Sequence, residues 1–398
     1  MIISRRDKRF YTNYFAIYCV LPFKKEYLPA LTLLSNILLN KAKGKKDKQE
    51  ITSTVETLYG MPYTFSHRIC EDKIYVSVEF NVIDESYLND KTLLKRAVAF
   101  IYKMHFEYYE GRFTKKVINE QKEYTINEVM RVNNNPRYIV REGLNRSLDS
   151  SWPLSVDLYG TVEEIKNITK EQLIEVHKAI IDSPKSLLMV GPISEAKALK
   201  HFKKYFTFEG KIEVRKPYTR ESREVIETIK EKAIRQTHIQ MGFILDEEFT
   251  RHEAIILGNL IGGIGNNRLF KEIREERGLC YSIGGSLSSL NKMLFIYSGI
   301  ETKNIEYAKK AIIEVINNLK FTKKELKDVV NALCSKIIAS DDSIDSLMSD
   351  LYSAERIGES IDSKLEVKKY KKISLRRINY LAKKLVYQGI FVLKGVEN

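Results

Sequence analysis

The side chains best placed to do chemistry lie in one segment, Asn267-Arg268-Leu269-Phe270-Lys271-Glu272-Ile273-Arg274-Glu275-Glu276-Arg277-Gly278-Leu279-Cys280-Tyr281-Ser282. Its periodicity gives an amphipathic helix over Arg268–Arg277, a C-cap at Gly278 and the start of a strand. Arg274 falls in the last helical turn and Tyr281 at the head of the strand, so a guanidinium and a phenol can meet across one tight turn. Two such donors suit a carbonyl oxygen and the oxyanion that develops from it. Taken singly, Arg274 reads as a surface ion-pair residue and Tyr281 as a half-buried strand residue.

Elsewhere the reactive residues are dispersed. The six histidines, His67, His105, His177, His201, His238 and His252, contain no pair close enough for a local metal-ligand motif. Cys19, Cys70, Cys280 and Cys334 form no CxxC pair and sit in apolar patterns, where a free thiol behaves as a small hydrophobe. A disulfide framework is therefore not expected. Gly262-Gly263-Ile264-Gly265 is followed by no Gly-Lys-[Ser/Thr] and preceded by no strand, so it reads as close helix packing and a turn.

The elements that would position these residues occur twice. Phe113-Thr114-Lys115-Lys116 opens a long helical pattern, and Phe321-Thr322-Lys323-Lys324 opens another about 200 residues later. Ile168-Thr169-Lys170-Glu171-Gln172-Leu173 starts a helix leading to a strand over Ser186–Val190 and then Gly191. Ile373-Ser374-Leu375-Arg376-Arg377-Ile378 does the same, leading to Gly389–Leu393 and Gly395. Thr169 and Ser374 are good N-caps, which makes these helix starts. The reading is two homologous domains, residues 1–208 and 220–398, joined by a polar linker around Phe206–Thr219. Turn-paired strands followed by runs of helices indicate α+β layers. In the first copy helices are expected over Tyr27–Lys41, Asp47–Tyr59, Lys91–Tyr109, Thr114–Val132 and Pro136–Leu148. In the second, one very long helix is expected over Lys323–Ile357, ending at Gly358.

Composition limits the function classes. The 398 residues are 43% hydrophobic and 30% charged, with 23 Tyr and 17 Phe, which excludes whole-chain disorder. No apolar run reaches the roughly 18–20 residues that span a bilayer, and Met1–Phe10 is too charged for a secretory leader. A cytoplasmic protein without membrane partners is the expectation. The net charge of +14 is spread over Lys-rich helix faces, with short runs at Lys41–Lys48 and Lys368–Lys372. No aromatic RNA-binding strand, Cys/His finger or basic zipper accompanies it, so a nucleic-acid partner is not expected.

On the 267–282 segment, the glycines before it and the duplicated layout, the chain resembles the pitrilysin/insulinase family of inverted-motif zinc peptidases. The resemblance covers the whole chain. It implies two similar domains, each a mixed, largely antiparallel sheet with helices on one side, forming half of a clamshell. It further implies that Arg274 and Tyr281 hold a peptide backbone near zinc. The first domain departs from the family. Active members carry HxxEH on the first helix; here Thr32 and Asn36 stand at the two histidine positions and Ser35 at the position of the glutamate base. The third family ligand is a glutamate on a later helix, where Glu120, Glu123 and Glu128 are all candidates. The chain is thus expected to bind no metal and to have no catalytic residues of its own. What the resemblance implies is a non-catalytic subunit of a heterodimeric zinc metalloendopeptidase, whose HxxEH-bearing partner carries the zinc and cuts small peptides. Bacteriocin or other modified-peptide maturation is a setting in which such pairs occur. A structural scaffold subunit of the same fold is the alternative, and an acidic-surface binder a weaker one.

Overall fold

The computed structural model describes residues 1–211, 220, 222, 224–359 and 362–396. Most of the expected linker, 212–219, lies outside them. The strands are β1 (Ile2–Arg6), β2 (Thr12–Pro22), β3 (Tyr63–Cys70), β4 (Lys73–Ile83), β5 (Lys185–Gly191), β6 (Ile226–Ala233), β7 (Thr237–Leu245), β8 (Cys280–Ser288), β9 (Met293–Ile300) and β10 (Leu385–Val396). The helices of the first half are α1 (Tyr27–Asn40), α2 (Lys48–Glu56), α3 (Leu93–Ile101), α4 (Lys115–Asn133), α5 (Pro136–Leu148), α6 (Val162–Asn167), α7 (Lys170–Asp182) and α8 (Glu195–Phe202). Those of the second are α9 (Arg251–Gly262), α10 (Ile305–Asn317), α11 (Lys323–Ser340), α12 (Ile344–Ile357), α13 (Ser363–Lys371) and α14 (Leu375–Ala382). None is long and apolar enough to cross a membrane among the described residues.

Two five-stranded sheets form, in the orders β1-β5-β2-β4-β3 and β6-β10-β7-β9-β8. Strand for strand the second order repeats the first. In each sheet the opening strand pairs in parallel with the closing one (β1 with β5, β6 with β10) and the remaining pairs are antiparallel. This is the α+β duplication expected from the repeated helix starts. Strand β1 was hidden in sequence because Ser-Arg-Arg fills an edge strand whose side chains are only half buried.

Two compact units result. The first contains Met1–Arg131, Asp157–Val214 and Asp341–Ser360; the second contains Val132–Val156, Arg215–Ser340 and Ile361–Asn398. Each therefore includes one helix from the other half of the sequence, α12 in the first and α5 in the second. The long helix expected over Lys323–Ile357 is in fact two, because the chain turns at Asp341–Asp342 and Ser343 caps α12 by accepting a hydrogen bond from the Ser346 amide.

In the first unit, β2 is buried on both faces, which explains its unbroken apolar run. Phe15 stacks on Phe80 and meets Phe202 of α8 on one face. On the other, Ala16, Tyr18, Leu188 and Val190 meet Leu347, Met348 and Tyr352 of α12. Arg68 lies 3.9 Å from the Tyr352 ring centroid, and the buried Arg356 donates to the Tyr352 hydroxyl at 2.7 Å and to Cys70 Sγ at 2.6 Å. Besides the main helical layer, then, one helix covers the second face. The second unit repeats this plan. Its core joins the sheet to α9, α10, α11, α13 and α14, while Val140, Leu144 and Leu148 of α5 cover Met293, Phe391 and Leu393 on the opposite face.

Of the glycines read as close packing and a turn, Gly262 packs on a strand and Gly265 turns with φ 58°; Gly258, one turn earlier, also packs closely. A Cβ on Gly262 at the end of α9 would stand 2.4 Å from the Gly285 nitrogen of β8, and one on Gly258 2.9 Å from the Leu287 nitrogen. Backbone cannot yield as a flexible side chain can. Gly262→Ala is expected to lower unfolding free energy by about 1–3 kcal/mol, read from the urea midpoint; an unchanged midpoint would refute the close contact.

Candidate functional site

Helix α1 is buried nearly all round, and Thr32 and Asn36 lie one turn apart on one face of it. Their side chains are already committed. Thr32 Oγ1 donates to the Leu28 carbonyl (3.0 Å) and Ser35 Oγ to the Thr32 carbonyl (2.8 Å). Asn36 Nδ2 donates across to α4, to Thr125 Oγ1 and to Glu128 Oε2, both at 2.9 Å. Thr125 in turn donates to the Gln121 carbonyl, and Asn40 Nδ2 reaches Gln121 Oε1.

This answers which of three glutamates meets α1. Glu128 does; Glu120 is exposed beside Lys116 and Glu123 is exposed. A zinc site at this place needs lone pairs from imidazole and carboxylate converging on one point. Here the amide of Asn36 aims N–H donors at Glu128, and Thr32 turns its hydroxyl proton into its own helix. The residues do not fit the metal. Among the described residues no three His, Cys, Asp or Glu side chains gather as a metal-binding group.

In the second unit the 267–282 segment is built by three local devices. Asn267 caps it, accepting from the Phe270 amide at 2.9 Å and donating to the Gly263 and Gly265 carbonyls. Over Phe270–Glu276 the helix widens into a π-turn where a regular helix was expected. Gly278 then adopts the left-handed conformation (φ 62°), and the Leu279 amide donates back to the Ile273 carbonyl at 3.1 Å. A Schellman-like stop, widened by the π-turn, sends the chain into β8.

The arginines of the segment differ in their partners. Arg268 pairs with Glu272 (3.0 Å) and Glu325 (2.7 Å), and Arg277 pairs with Glu314 (2.8 Å). Arg274 has no carboxylate partner among the described residues; it is exposed, its guanidinium 4.9 Å over the Phe270 ring. Its charge reaches the head of β8: burial pushes the Cys280 thiol up, and Ser298 and Arg274 partly offset that. Tyr281 is 64% exposed and donates to Glu301 Oε1 at 3.3 Å. Arg274 and Tyr281 thus share one turn and one solvent-facing edge without bonding to each other. The Arg274 N–H groups are free to donate to a carbonyl-bearing ligand, and the Tyr281 hydroxyl can do so in exchange for its bond to Glu301. Glu301, just past the end of β9, escaped the sequence reading; the hairpin register that places Cys280 opposite Ile300 brings it beside Tyr281. Thr125 also escaped it, being a fully buried threonine in an otherwise ordinary helix face.

Residues 167–333 match the family model described as Peptidase M16 inactive domain. The chain is 24% identical over 304 residues to the probable inactive metalloprotease YmfF of Bacillus subtilis (strain 168), covering 74% of this chain and 71% of that one. Its fold superposes on a conserved protein from Enterococcus faecalis V583 with a TM-score of 0.89 at 17% identity, covering 100% of this chain and 96% of that one. It also superposes on a peptidase M16 inactive domain from Pseudomonas fluorescens, with a TM-score of 0.74 at 17% identity and coverage of 99% and 95%. The chain thus has the fold of M16-like peptidases and, over residues 167–333, is similar to the family's inactive domain, in keeping with the pitrilysin/insulinase resemblance of its 267–282 segment.

Proposed function

We propose that this chain is the non-catalytic subunit of a heterodimeric zinc metalloendopeptidase, pairing with an HxxEH-bearing homologue. In that pair it completes a peptide-binding chamber, and Arg274 and Tyr281 hold the substrate backbone beside the partner's zinc. The observation that carries the reading is an asymmetry. The positions read as counterparts of the metal site hold a closed hydrogen-bond network between α1 and α4, while Arg274 is unpaired and exposed next to an exposed tyrosine. Arg268 and Arg277 of the same segment are by contrast paired, with Glu325 and Glu314. Small unfolded peptides are the substrate class, and the maturation of bacteriocins or other modified peptides is the setting.

In a reconstituted pair, Arg274→Ala is expected to lower kcat/KM about 100-fold and Tyr281→Phe about tenfold, as for removal of preorganised donors to a developing oxyanion. Because both side chains are exposed, the melting temperature of the chain should stay within a few degrees of wild type. Unchanged turnover in both variants would remove the substrate-binding role and leave a scaffold subunit.

A further inference from the structure

In the second unit, a cavity of about 530 Å³ opens between α5 and the outer strands β8 and β9. Its floor is the sheet face on which Gly284 and Ser286 of β8 stand opposite Tyr297 and Phe295 of β9. Its wall is α5, from which Arg137 and Arg141 project one helical turn apart. The Arg137 guanidinium lies 4.5 Å over the Tyr297 ring and has no carboxylate partner among the described residues. Arg141 lies over the Tyr138 ring and bonds Glu142 through Nε at 3.0 Å. Guanidinium groups laid on aromatic faces keep their edge N–H groups available for a bidentate acceptor.

The floor carries a second, independent sign. Gly284 has no positive φ, and a Cβ there would meet only the Gly262 carbonyl, at an ordinary 3.4 Å. Neither backbone conformation nor packing demands glycine at this strand position, and glycine weakens a strand. Strand β8 is also the edge of its sheet, so one side of its backbone is unpaired. Bare backbone beside the unpaired Arg137 and the outer N–H groups of Arg141, which meets Glu142 only through Nε, is what a close-approaching extended chain with a negative side chain requires.

We propose that this cavity is a subsite for an acidic side chain, Asp or Glu, of an extended peptide, bound by Arg137 and Arg141 over the Gly284 floor. The proposal rests on the reading of the chain as a peptide-binding subunit, and its test reads binding by this chain alone, so either can fail without the other. The probe is a rhodamine-labelled, C-terminally amidated Gly-Ser peptide carrying three glutamates, compared with its glutamine counterpart by fluorescence anisotropy at fixed salt. The glutamate peptide should bind about tenfold more tightly. Arg137→Gln with Arg141→Gln should abolish that difference, and Gly284→Val should weaken glutamate-peptide binding. Lys364→Gln with Lys368→Gln, which removes the same charge from the exposed face of α13, should leave the difference intact. Equal binding of the two peptides by the wild-type chain, a comparison that needs no variant to fold, overturns the proposal. So does a tenfold preference that survives loss of both arginines.

Discussion

The triple variant Thr32→His, Ser35→Glu, Asn36→His is expected to retain about one zinc ion per chain through gel filtration, where the wild-type chain retains none. Positions 32 and 36 share a face of α1, and the Asn36 amide already lies 2.9 Å from Glu128 Oε2, so the carboxylate for a third ligand is in place. Two imidazoles at i and i+4 with a carboxylate across from them is a donor set zinc binds strongly. The gain is large, on the order of 10³-fold or more in affinity, because the present residues offer no comparable ligands. Replacing Glu128 with Gln in that background should reduce affinity at least about tenfold. Metal analysis by mass spectrometry checks both. A folded triple variant that takes up no zinc, or one indifferent to Glu128, would show that this is not the place where a metal once sat.

The second large effect concerns acid stability. His105 is fully buried against the rings of Tyr63 and Phe65, and neither of its ring nitrogens has a hydrogen-bond partner. Its pKa is lowered to about 3, first by burial and then by the positive charge of Arg112. His177, whose Nε2 meets the His105 carbonyl at 2.9 Å, is lowered to about 4, again chiefly by burial, with Arg112 adding to the shift. Arg112 is itself fully buried and donates only to the backbone carbonyls of Lys41, Lys103, Met104 and Glu107, so no carboxylate among its bonds would welcome a second cation. Both histidines are neutral in the folded chain and titrate near 6.5 when unfolded. The unfolded chain therefore binds more protons below that pH, and the folded state's advantage, complete above about 6.5, is lost as pH falls toward 4. The two together steepen the decline by a limiting value of about 2.7 kcal/mol per pH unit, approached between pH 6 and 5. Urea unfolding at pH 7, 6 and 5 lies above most carboxylate titration and reads this directly. His105→Phe, which keeps an aromatic ring in an aromatic cage, should fold and flatten the slope by about 1.4 kcal/mol per pH unit. The same slope in wild type and variant would contradict the assignment.

Which features were legible in the sequence follows from how local their causes are. The helix starts at Thr169 and Ser374, the Gly278 stop, and the positions of Arg274 in the last turn and Tyr281 at the strand head depend on a few adjacent residues, and they are where the sequence put them. The duplicated layout was legible because the same local patterns recur. The break after Ser340 was not, since apolar periodicity continues through Asp341 and Asp342 while the cap that restarts the helix is a single serine. The presence of α12 in the first unit and of α5 in the second depends on which apolar face each helix buries, a long-range choice with no local signature. For the same reason three glutamates were equivalent in sequence, and only the meeting of α1 with α4 selects Glu128. The π-turn at Phe270–Glu276 has no propensity signature either.

The proposed role makes this chain silent alone and active through a zinc-bearing partner. Zinc content and peptidase activity of the purified chain, alone and mixed with a co-encoded HxxEH homologue, test it most directly. The chain alone should hold no zinc and cleave nothing, and the mixture should cleave well above the homologue by itself. Stoichiometric zinc with activity from this chain alone, or a homologue whose activity is indifferent to its addition, would contradict it.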